Sequence, residues 1–229
     1  MIHLSSQPIE HTKETHCAPQ LPVSWYTDPA IYALEEKHLF QKSAKYWGHG
    51  LMTPNQGDFY ALGWMQDAKA LVHNQQGISL ISNICRHRQA IMLNGQGNTK
   101  HIVCPLHRWT YNLQGELLGA PHFDGNPCLH LSNTQLSNWQ GLLFDGKRDI
   151  AKDLAQLGCK QDFDFTGYML DRVMVEEYNF NWKTFIEVYL EDYHVEPFHP
   201  GLNRFVDCDE LDWEFGEEYS VQRVGYKPP

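Results

Sequence analysis

Two short cysteine–histidine motifs are the clearest chemical signal in the sequence. One residue separates Cys85 from His87, and after sixteen further residues Cys104 is separated from His107 by two. Two soft thiolates and two imidazoles on paired loops make a set of four metal ligands. This set fits a tetrahedral zinc ion, or a [2Fe-2S] cluster in which the cysteines bind one iron and the histidines bind the other. The spacing by itself leaves both alternatives open.

A second group of metal-capable side chains lies further along the chain. The local pattern predicts a helix from roughly Trp182 to His194. On such a helix Glu187, Glu191 and His194 lie within about 60° of one another, which is unusual for a purely structural helix. His199 follows after four residues, and two imidazoles so spaced can supply the histidines of a 2-His-1-carboxylate Fe(II) site with positions open for O2. The alternative is an exposed acidic helix with two unrelated histidines.

The residues around the first motif resemble the Rieske domain of ring-hydroxylating oxygenases. Gln89 and Arg108 stand where glycine is common in that family, and we expect these two changes to affect only the loop surface. The similarity extends over roughly residues 45–144 and is carried by three short stretches, 83–88, 104–111 and 115–121.

The resemblance implies which residues hold the cluster. A Rieske [2Fe-2S] cluster would be bound by the residues of the first motif, Cys85, His87, Cys104 and His107. Zinc becomes the weaker alternative. We expect Trp109 and Tyr111 to pack near the cluster, and a hydrogen bond from one of them is a hypothesis for how its potential is tuned.

The second group is similar to the mononuclear-iron motif in the α subunits of these oxygenases. In that motif two histidines separated by four residues bind iron, and a carboxylate three residues before the first of them bridges to a cluster histidine of a neighbouring subunit. By this match His194 and His199 bind iron and Glu191 is the bridge. Many members have aspartate as the bridge, whereas glutamate is familiar in members resembling carnitine and glycine-betaine oxygenases. Asp192 is therefore the second candidate.

The resemblance implies an oxygenase component that works with other proteins. Electrons from NAD(P)H would arrive through a separate reductase, with or without a ferredoxin. They would serve a mononuclear Fe(II) that activates O2 to hydroxylate an aromatic or other small organic substrate. Because the bridge works between subunits, the implied assembly is a head-to-tail homotrimer.

The third iron ligand of the family has no matching residue in the sequence. It is an aspartate far downstream of the second histidine, and 30 residues follow His199 here. We expect the chain to be truncated within the catalytic domain, and a Rieske electron-transfer module without oxygenase activity is the alternative function. The available acids are expected to form an exposed loop: Asp207, Asp209, Glu210 and Asp212.

The patterns predict an α+β protein in three parts. Residues 1–44 form an N-terminal segment that packs on the catalytic domain, residues 45–145 an all-β Rieske domain of antiparallel sheets, and residues 146–229 the N-terminal part of a helix-on-sheet catalytic domain. Further helices are predicted at Asp28–Phe40, with Asp28 as N-cap, and at Asp149–Leu157. Strands are predicted at Phe59–Leu62, Ala70–His73, Ile78–Ile84, Leu142–Phe144, Tyr168–Glu177 and Tyr219–Tyr226, the last without an evident partner.

Composition excludes several classes of protein. The 229 residues include 28 acidic and 18 basic side chains, so a nucleic-acid partner is not expected. No apolar run approaches the roughly 20 residues that cross a membrane, and the N-terminus lacks the apolar centre of a signal peptide. We therefore expect a cytoplasmic protein whose cysteines do not form a disulfide framework.

Overall fold

The computed structural model describes residues 21–228, so the first 20 residues of the predicted N-terminal segment lie outside the described residues. No helix in this range has the length and apolar character needed to cross a bilayer. The architecture is α+β, as predicted, with antiparallel sheets and short helices. The helices are α1 (Ser24–Thr27), α2 (Pro29–Glu35), α3 (Ile150–Asp153), α4 (Trp182–Tyr189) and α5 (Val195–Phe198).

The strands of residues 21–228 form four antiparallel sheets, ordered β5-β2-β3-β4-β9, β1-β11-β10, β6-β7-β8 and β12-β13. Strands near all four predicted β-domain segments are present. The bounds are β1 (Lys45–His49), β2 (Asp58–Ala61), β3 (Lys69–Asn74), β4 (Gly77–Ser82), β5 (Gln96–Asn98), β6 (Ile102–Val103), β7 (Thr110–Tyr111), β8 (Leu117–Gly119), β9 (Asn133–Gln135), β10 (Ser137–Trp139), β11 (Leu142–Asp145), β12 (Val206–Phe215) and β13 (Ser220–Tyr226).

Strands β3 and β4 lie between two apolar cores. Because successive side chains of a strand point to opposite faces, Ala70 and Val72 of β3 join one core and Leu71 joins the other. In β4, Ile81 joins the first core and Leu80 joins the second. The first core also contains both cysteines of the first motif, so the β-sheet supplies the wall against which the metal loops pack.

The N-terminal helix follows its predicted boundaries. The Asp28 carboxylate accepts a hydrogen bond from the backbone N–H of Ala30 at 2.8 Å, and Pro29 occupies the first helical position. After Glu35 the chain continues as a π-helical turn over Glu36–Phe40. The predicted helix over Asp28–Phe40 is therefore present, with a wider last turn than an α-helix.

Two predicted helices are too long. The helix predicted at Asp149–Leu157 is confined to Ile150–Asp153 and is followed by turns. The helix predicted to reach His194 ends at Tyr189. In the second case the Glu191 carboxylate accepts a hydrogen bond from the backbone N–H of Tyr193 at 2.7 Å. This local bond competes with the helical pattern, so the chain turns before it begins α5.

The predicted strand at Tyr168–Glu177 is wrong. This segment has no strand partner among the described residues, although Leu170 and Val173 pack against the second core. Alternating apolar residues predict a half-buried surface, but a strand also requires a neighbouring backbone to pair with.

The strand predicted at Tyr219–Tyr226 is present as β13, and its partner is β12, which precedes it. The acids predicted to form an exposed loop lie within β12 instead. The pairing shifts register between Asp207 and Asp212, so the intervening residues bulge out of the ladder. This bulge kept the alternation of β12 from being evident in the sequence.

Candidate metal centres

The two loops of the first motif share one backbone arrangement. In the first loop the N–H of Cys85 donates to the carbonyl of Ala90 at 2.9 Å, and the N–H of Gln89 donates to the carbonyl of Cys85 at 3.0 Å. In the second loop the N–H of Cys104 likewise donates to the carbonyl of Trp109 at 2.8 Å, and the N–H of Arg108 donates to the carbonyl of Cys104 at 3.1 Å. The chain therefore presents its two cysteine–histidine pairs on matching turns.

The matching turns require a left-handed residue at the same place in each loop. Gln89 has φ of 58° and Arg108 has φ of 60°, a region that favours glycine. Both side chains are exposed, in agreement with the predicted surface location. The backbone consequence was not evident from the sequence: these are the two positions where the family commonly has glycine, and an L-residue costs free energy at each of them.

The four residues of the first motif lie together as a buried pair and an outer pair. The side chains of Cys85 and Cys104 are each about 1 % exposed and belong to the same apolar core. The rings of His87 and His107 have their centroids 4.6 Å apart, and His107 is exposed. His87 stacks on Trp109 with an angle of 7° between the ring planes. The predicted packing of Trp109 beside the motif is thus observed.

The donor set fits a cluster bound by two pairs of ligands. The Nδ1 atom of His87 is buried and has no hydrogen-bond partner, which is the expected state of a nitrogen reserved for a metal. A tetrahedral zinc ion requires four donors around one point. Within residues 21–228, no three Cys, His, Asp or Glu side chains surround one point in this way. The buried cysteine pair and the adjacent histidine pair match the two-iron ligation of a [2Fe-2S] cluster.

Tyr111 places a hydroxyl beside the buried thiols. Its oxygen lies 3.7 Å from Cys85 Sγ and accepts a hydrogen bond from the backbone N–H of Arg86 at 3.2 Å. Burial raises the pKa of Tyr111 well above its usual range, so the phenol keeps its proton. Tyr111 can therefore donate a hydrogen bond to sulfur. Burial also lowers the pKa of His87, with a further contribution from the nearby His107.

Helix α5 brings the second pair of histidines together. His194 precedes this short helix and His199 follows it, with ring centroids 5.3 Å apart at an angle of 81°. The Nδ1 atom of His194 lies 3.0 Å from the Glu191 carboxylate. Because Nδ1 is engaged by Glu191, Nε2 is the nitrogen of His194 that remains for a metal.

Asp192 has different surroundings from Glu191. Its side chain is 8 % exposed, and one carboxylate oxygen, Oδ2, is buried without a hydrogen-bond partner. Burial raises the pKa of the neighbouring Cys208 thiol, and the negative charge of Asp192 raises it further. Of the two predicted bridge candidates, Glu191 contacts His194 and Asp192 lies beside Cys208 on β12.

Neither the acids on β12 nor Glu187 joins the histidine pair within residues 21–228. No group of three potential ligands is found in the described part of the chain, so none of the acids on β12 completes such a site there. Glu187 accepts a hydrogen bond from the hydroxyl of Tyr26 instead. The five cysteines in the described range are free thiols.

Two protein families match successive parts of the chain. Residues 47–135 match the Rieske [2Fe-2S] domain, and residues 163–228 match the catalytic domain of the ring hydroxylating alpha subunit. The order of the two matches agrees with the order of the two candidate centres.

Curated relatives extend over most of the chain. A putrescine 2-hydroxylase of Ralstonia nicotianae is 63 % identical over 206 residues, which are 90 % of this chain and 56 % of the relative. A putrescine 2-hydroxylase of Bordetella bronchiseptica is 54 % identical, covering 90 % of this chain and 51 % of the relative. A glycine betaine monooxygenase oxygenase subunit of Chromohalobacter salexigens is 30 % identical over 84 % of this chain. The chain spans about half the length of these relatives.

Solved structures share the fold. A quaternary ammonium Rieske monooxygenase in complex with L-carnitine superposes with a TM-score of 0.72 at 21 % identity, covering 88 % of this chain and 61 % of that one. Naphthalene 1,2-dioxygenase from a Rhodococcus species superposes with a TM-score of 0.66 at 21 % identity over 91 % of this chain and 54 % of that one. These family matches, relatives and folds confirm the predicted family and its two cofactors, a [2Fe-2S] cluster and a mononuclear iron. The chain belongs to the Rieske oxygenases, with a Rieske domain followed by part of a ring-hydroxylating α-subunit catalytic domain.

Proposed function

We propose that this chain belongs to the oxygenase component of a Rieske oxygenase that hydroxylates a small aliphatic amine. The observation that carries the substrate class is the 63 % identity to a putrescine 2-hydroxylase. A second protein of that name and a glycine betaine monooxygenase subunit also favour an amine over the aromatic substrate expected from the family resemblance. When bound, the cluster supplies single electrons and the mononuclear iron supplies activation of O2.

In this proposal the residues of the first motif hold the cluster. Cys85 and Cys104 would bind from the buried side and His87 and His107 from the exposed side. The stacking of His87 on Trp109 orients its ring, and the Tyr111 hydroxyl is placed to donate to the Cys85 sulfur. The apolar surroundings exclude water from the sulfur side.

The residues of the second group hold and orient the mononuclear site. His194 and His199 would bind iron, and Glu191 would hold the Nδ1 proton of His194 so that Nε2 is free of a proton. Glu191 is half-exposed, which leaves it able to meet a cluster histidine of a neighbouring copy. The proposal also includes a homotrimer and a separate reductase. The reductase delivers electrons from NAD(P)H, with or without a ferredoxin.

The domain division at residues 1–44, 45–145 and 146–229 remains part of the proposal. It is supported by strand pairing, because Lys45 at the start of β1 pairs with Asp145 at the end of β11. The β domain therefore begins and ends at adjacent backbone positions.

A Rieske electron-transfer module without oxygenase activity is the second candidate. It is favoured by the absence of a third ligand beside His194 and His199 within residues 21–228. The two functions differ in metal content, since a carrier binds only the two irons of its cluster and an oxygenase binds one more.

The cluster can be tested in the chain itself with two cysteine variants. After anaerobic reconstitution with iron and sulfide, we expect visible absorption and, on reduction, an EPR signal. Cys85→Ser should abolish both, whereas Cys128→Ser, which changes an exposed cysteine outside the two loops, should leave both intact. A colourless wild-type chain, or a Cys85→Ser spectrum equal to wild type, would contradict the assignment.

A further inference from the structure

A buried ion pair connects the N-terminal part of the described chain to helix α4. The ammonium of Lys183 lies 2.5 Å from Glu35 Oε1, and the two side chains are about 9 % and 10 % exposed. The indole N–H of Trp182 donates to Glu35 Oε2 at 2.9 Å. Both carboxylate oxygens of Glu35, on α2, are therefore engaged by adjacent residues in the first turn of α4.

Further contacts hold the same helix from the same side. The side-chain amide of Asn181, the N-cap of α4, donates to the carbonyl of Tyr26 at 3.0 Å. The hydroxyl of Tyr26 donates to Glu187, one turn further along α4. The Lys183 ammonium lies 5.5 Å from the centre of the Tyr26 ring, within the range of a cation–π contact. Residues of the N-terminal helices thus contact two successive turns of α4.

Much of the remaining surface of α4 is exposed within residues 21–228. Its large apolar side chains, Phe185, Val188 and Tyr189, are exposed. Within the described residues, α4 is held by the polar contacts made through Glu35, Tyr26 and Lys183 and by the packing of Trp182 against Phe40.

Helix α4 leads directly into the second metal centre. It ends at Tyr189, and Glu191 follows two residues later, where it meets His194 at 3.0 Å. Glu187, which is held by Tyr26, lies one helical turn before Glu191. His194 adjoins α5, whose Val195 is buried. A displacement of α4 relative to α5 would therefore stretch the contact between Glu191 and His194.

We propose that Glu35 and Lys183 are positioning residues for the mononuclear site: their buried ion pair fixes α4 so that Glu191 meets His194. The inference rests on the proposed function of Glu191 and His194. A buried ion pair is a poor source of stability compared with apolar residues of similar size, but its hydrogen bonds have fixed directions. The pair therefore determines where α4 lies more than how strongly it is held.

Hydrogen exchange of the peptide covering residues 188–199 tests this positioning in the whole chain. In Glu35→Gln and Lys183→Met, we expect amide exchange at least roughly tenfold faster in this peptide, because each single change leaves a buried group without its partner. The charge-swapped variant E35K/K183E should restore part of the protection. Arg148→Met, which breaks an ion pair with Asp153 away from α4, is the matched control and should leave this peptide unchanged.

The apolar double variant E35L/K183M separates positioning from packing. It should unfold at a temperature close to that of wild type and still show the faster exchange of residues 188–199. If its exchange equals that of wild type, the pair only fills space and the proposal is wrong. The proposal is equally wrong if the single variants exchange no faster than the Arg148→Met control.

This result is independent of the proposed function. If wild type fails to bind iron but the peptide exchanges faster in the variants, the function is wrong and the positioning of the 188–199 segment stands. If wild type forms the cluster and exchange is unaffected, the function stands and the positioning role fails. Should the single variants not fold, the apolar and charge-swapped pairs still decide the outcome.

Discussion

At the scale of single residues, the two acids after α4 have different environments although they are adjacent in sequence. Glu191 is half-exposed and hydrogen-bonded to His194, whereas Asp192 is buried beside Cys208. Their types alone left both as candidates for the bridge. A carboxylate that links two imidazoles must reach its own histidine and remain accessible to the second one, and Glu191 meets both requirements.

We predict that Glu191→Gln in the full-length protein retains both metals and slows single-turnover electron delivery to the mononuclear site by about tenfold or more. Glutamine keeps the size of the side chain but loses the charge that holds the His194 proton. Asp192→Asn is the matched control, and it should lower thermal stability with little effect on transfer. Rapid-quench measurement of product per reduced cluster would check both. Normal transfer in Glu191→Gln with impaired transfer in Asp192→Asn would assign the bridge to Asp192.

The left-handed conformation of Gln89 and Arg108 predicts a stabilising substitution in each loop. Glycine at Arg108 relieves backbone strain, and this gain exceeds the cost of the greater freedom of glycine in the unfolded chain. Arg108→Gly should therefore raise the free energy of unfolding by up to about 1 kcal/mol. Arg86→Gly, at an exposed position without positive φ, should lower it by roughly 0.5–1 kcal/mol. Chemical denaturation of the apo chain measures both. Equal destabilisation by the two changes would show that the strain at Arg108 is negligible.

At the scale of elements, α4 ends just before a turn in which a side-chain carboxylate accepts a hydrogen bond from a backbone N–H. The Glu191 carboxylate binds the N–H of Tyr193, and α5 starts shortly afterwards. The convergence of His194 and His199 is therefore produced by one turn of α5, and the continuous polar stripe predicted on a longer helix does not exist. The same carboxylate binds the backbone at the end of one helix and contacts the ring of His194, the proposed iron ligand.

The docking of α2 on α4 predicts a change of stability at acid pH. The hydrogen bond from Lys183, followed by that from Trp182, holds the pKa of Glu35 below its ordinary value of 4.5. A carboxyl with a depressed folded-state pKa contributes stability that is complete above pH 4.5 and is lost as the pH falls through the folded value. The Tm difference between wild type and Glu35→Gln should therefore shrink below that pH. The exposed-site control Asp124→Asn should show no such trend, and a pH-independent difference for Glu35→Gln would contradict the prediction.

At the scale of the whole molecule, charge is divided unequally along the chain. Residues 85–108 contain four basic residues and no acidic one, whereas residues 181–218 contain eleven acidic and two basic residues. The cluster loops are thus positive in a protein of net charge −10, and the part that carries the second centre is strongly negative. Surfaces of opposite sign attract one another when two copies approach in a head-to-tail arrangement.

This polarity predicts that association of the full-length protein weakens as salt is raised, since exposed charges are screened beyond roughly 8 Å at physiological ionic strength. Arg88→Glu should weaken association at low salt and reduce its salt dependence. Lys147→Glu, an equal charge change at an exposed site outside the loops, is the control. Sedimentation velocity at low and high salt, with the cluster spectrum as a check on folding, would decide. The same salt dependence in wild type and Arg88→Glu would exclude the cluster loops from the interface.

The sequence by itself determined the features that depend on short spacing. The ligand types of both centres, the paired loops, and strands β2, β3 and β4 are all visible in windows of a few residues, where side-chain identity and a period of two carry the information. The N-terminus of α2 was also predictable, because Asp28 and Pro29 act on the adjacent backbone.

Only the tertiary structure decided the features that join distant residues. The partner of β13 was hidden by the bulge in β12, and the contact of Glu35 with Lys183 spans 148 positions of the chain. The different surroundings of Glu191 and Asp192 likewise depend on the position of β12, which places Cys208 beside Asp192. Local periodicity describes one face of one element, whereas burial, pairing and charge contacts depend on which elements meet, and that is determined only when the whole chain packs.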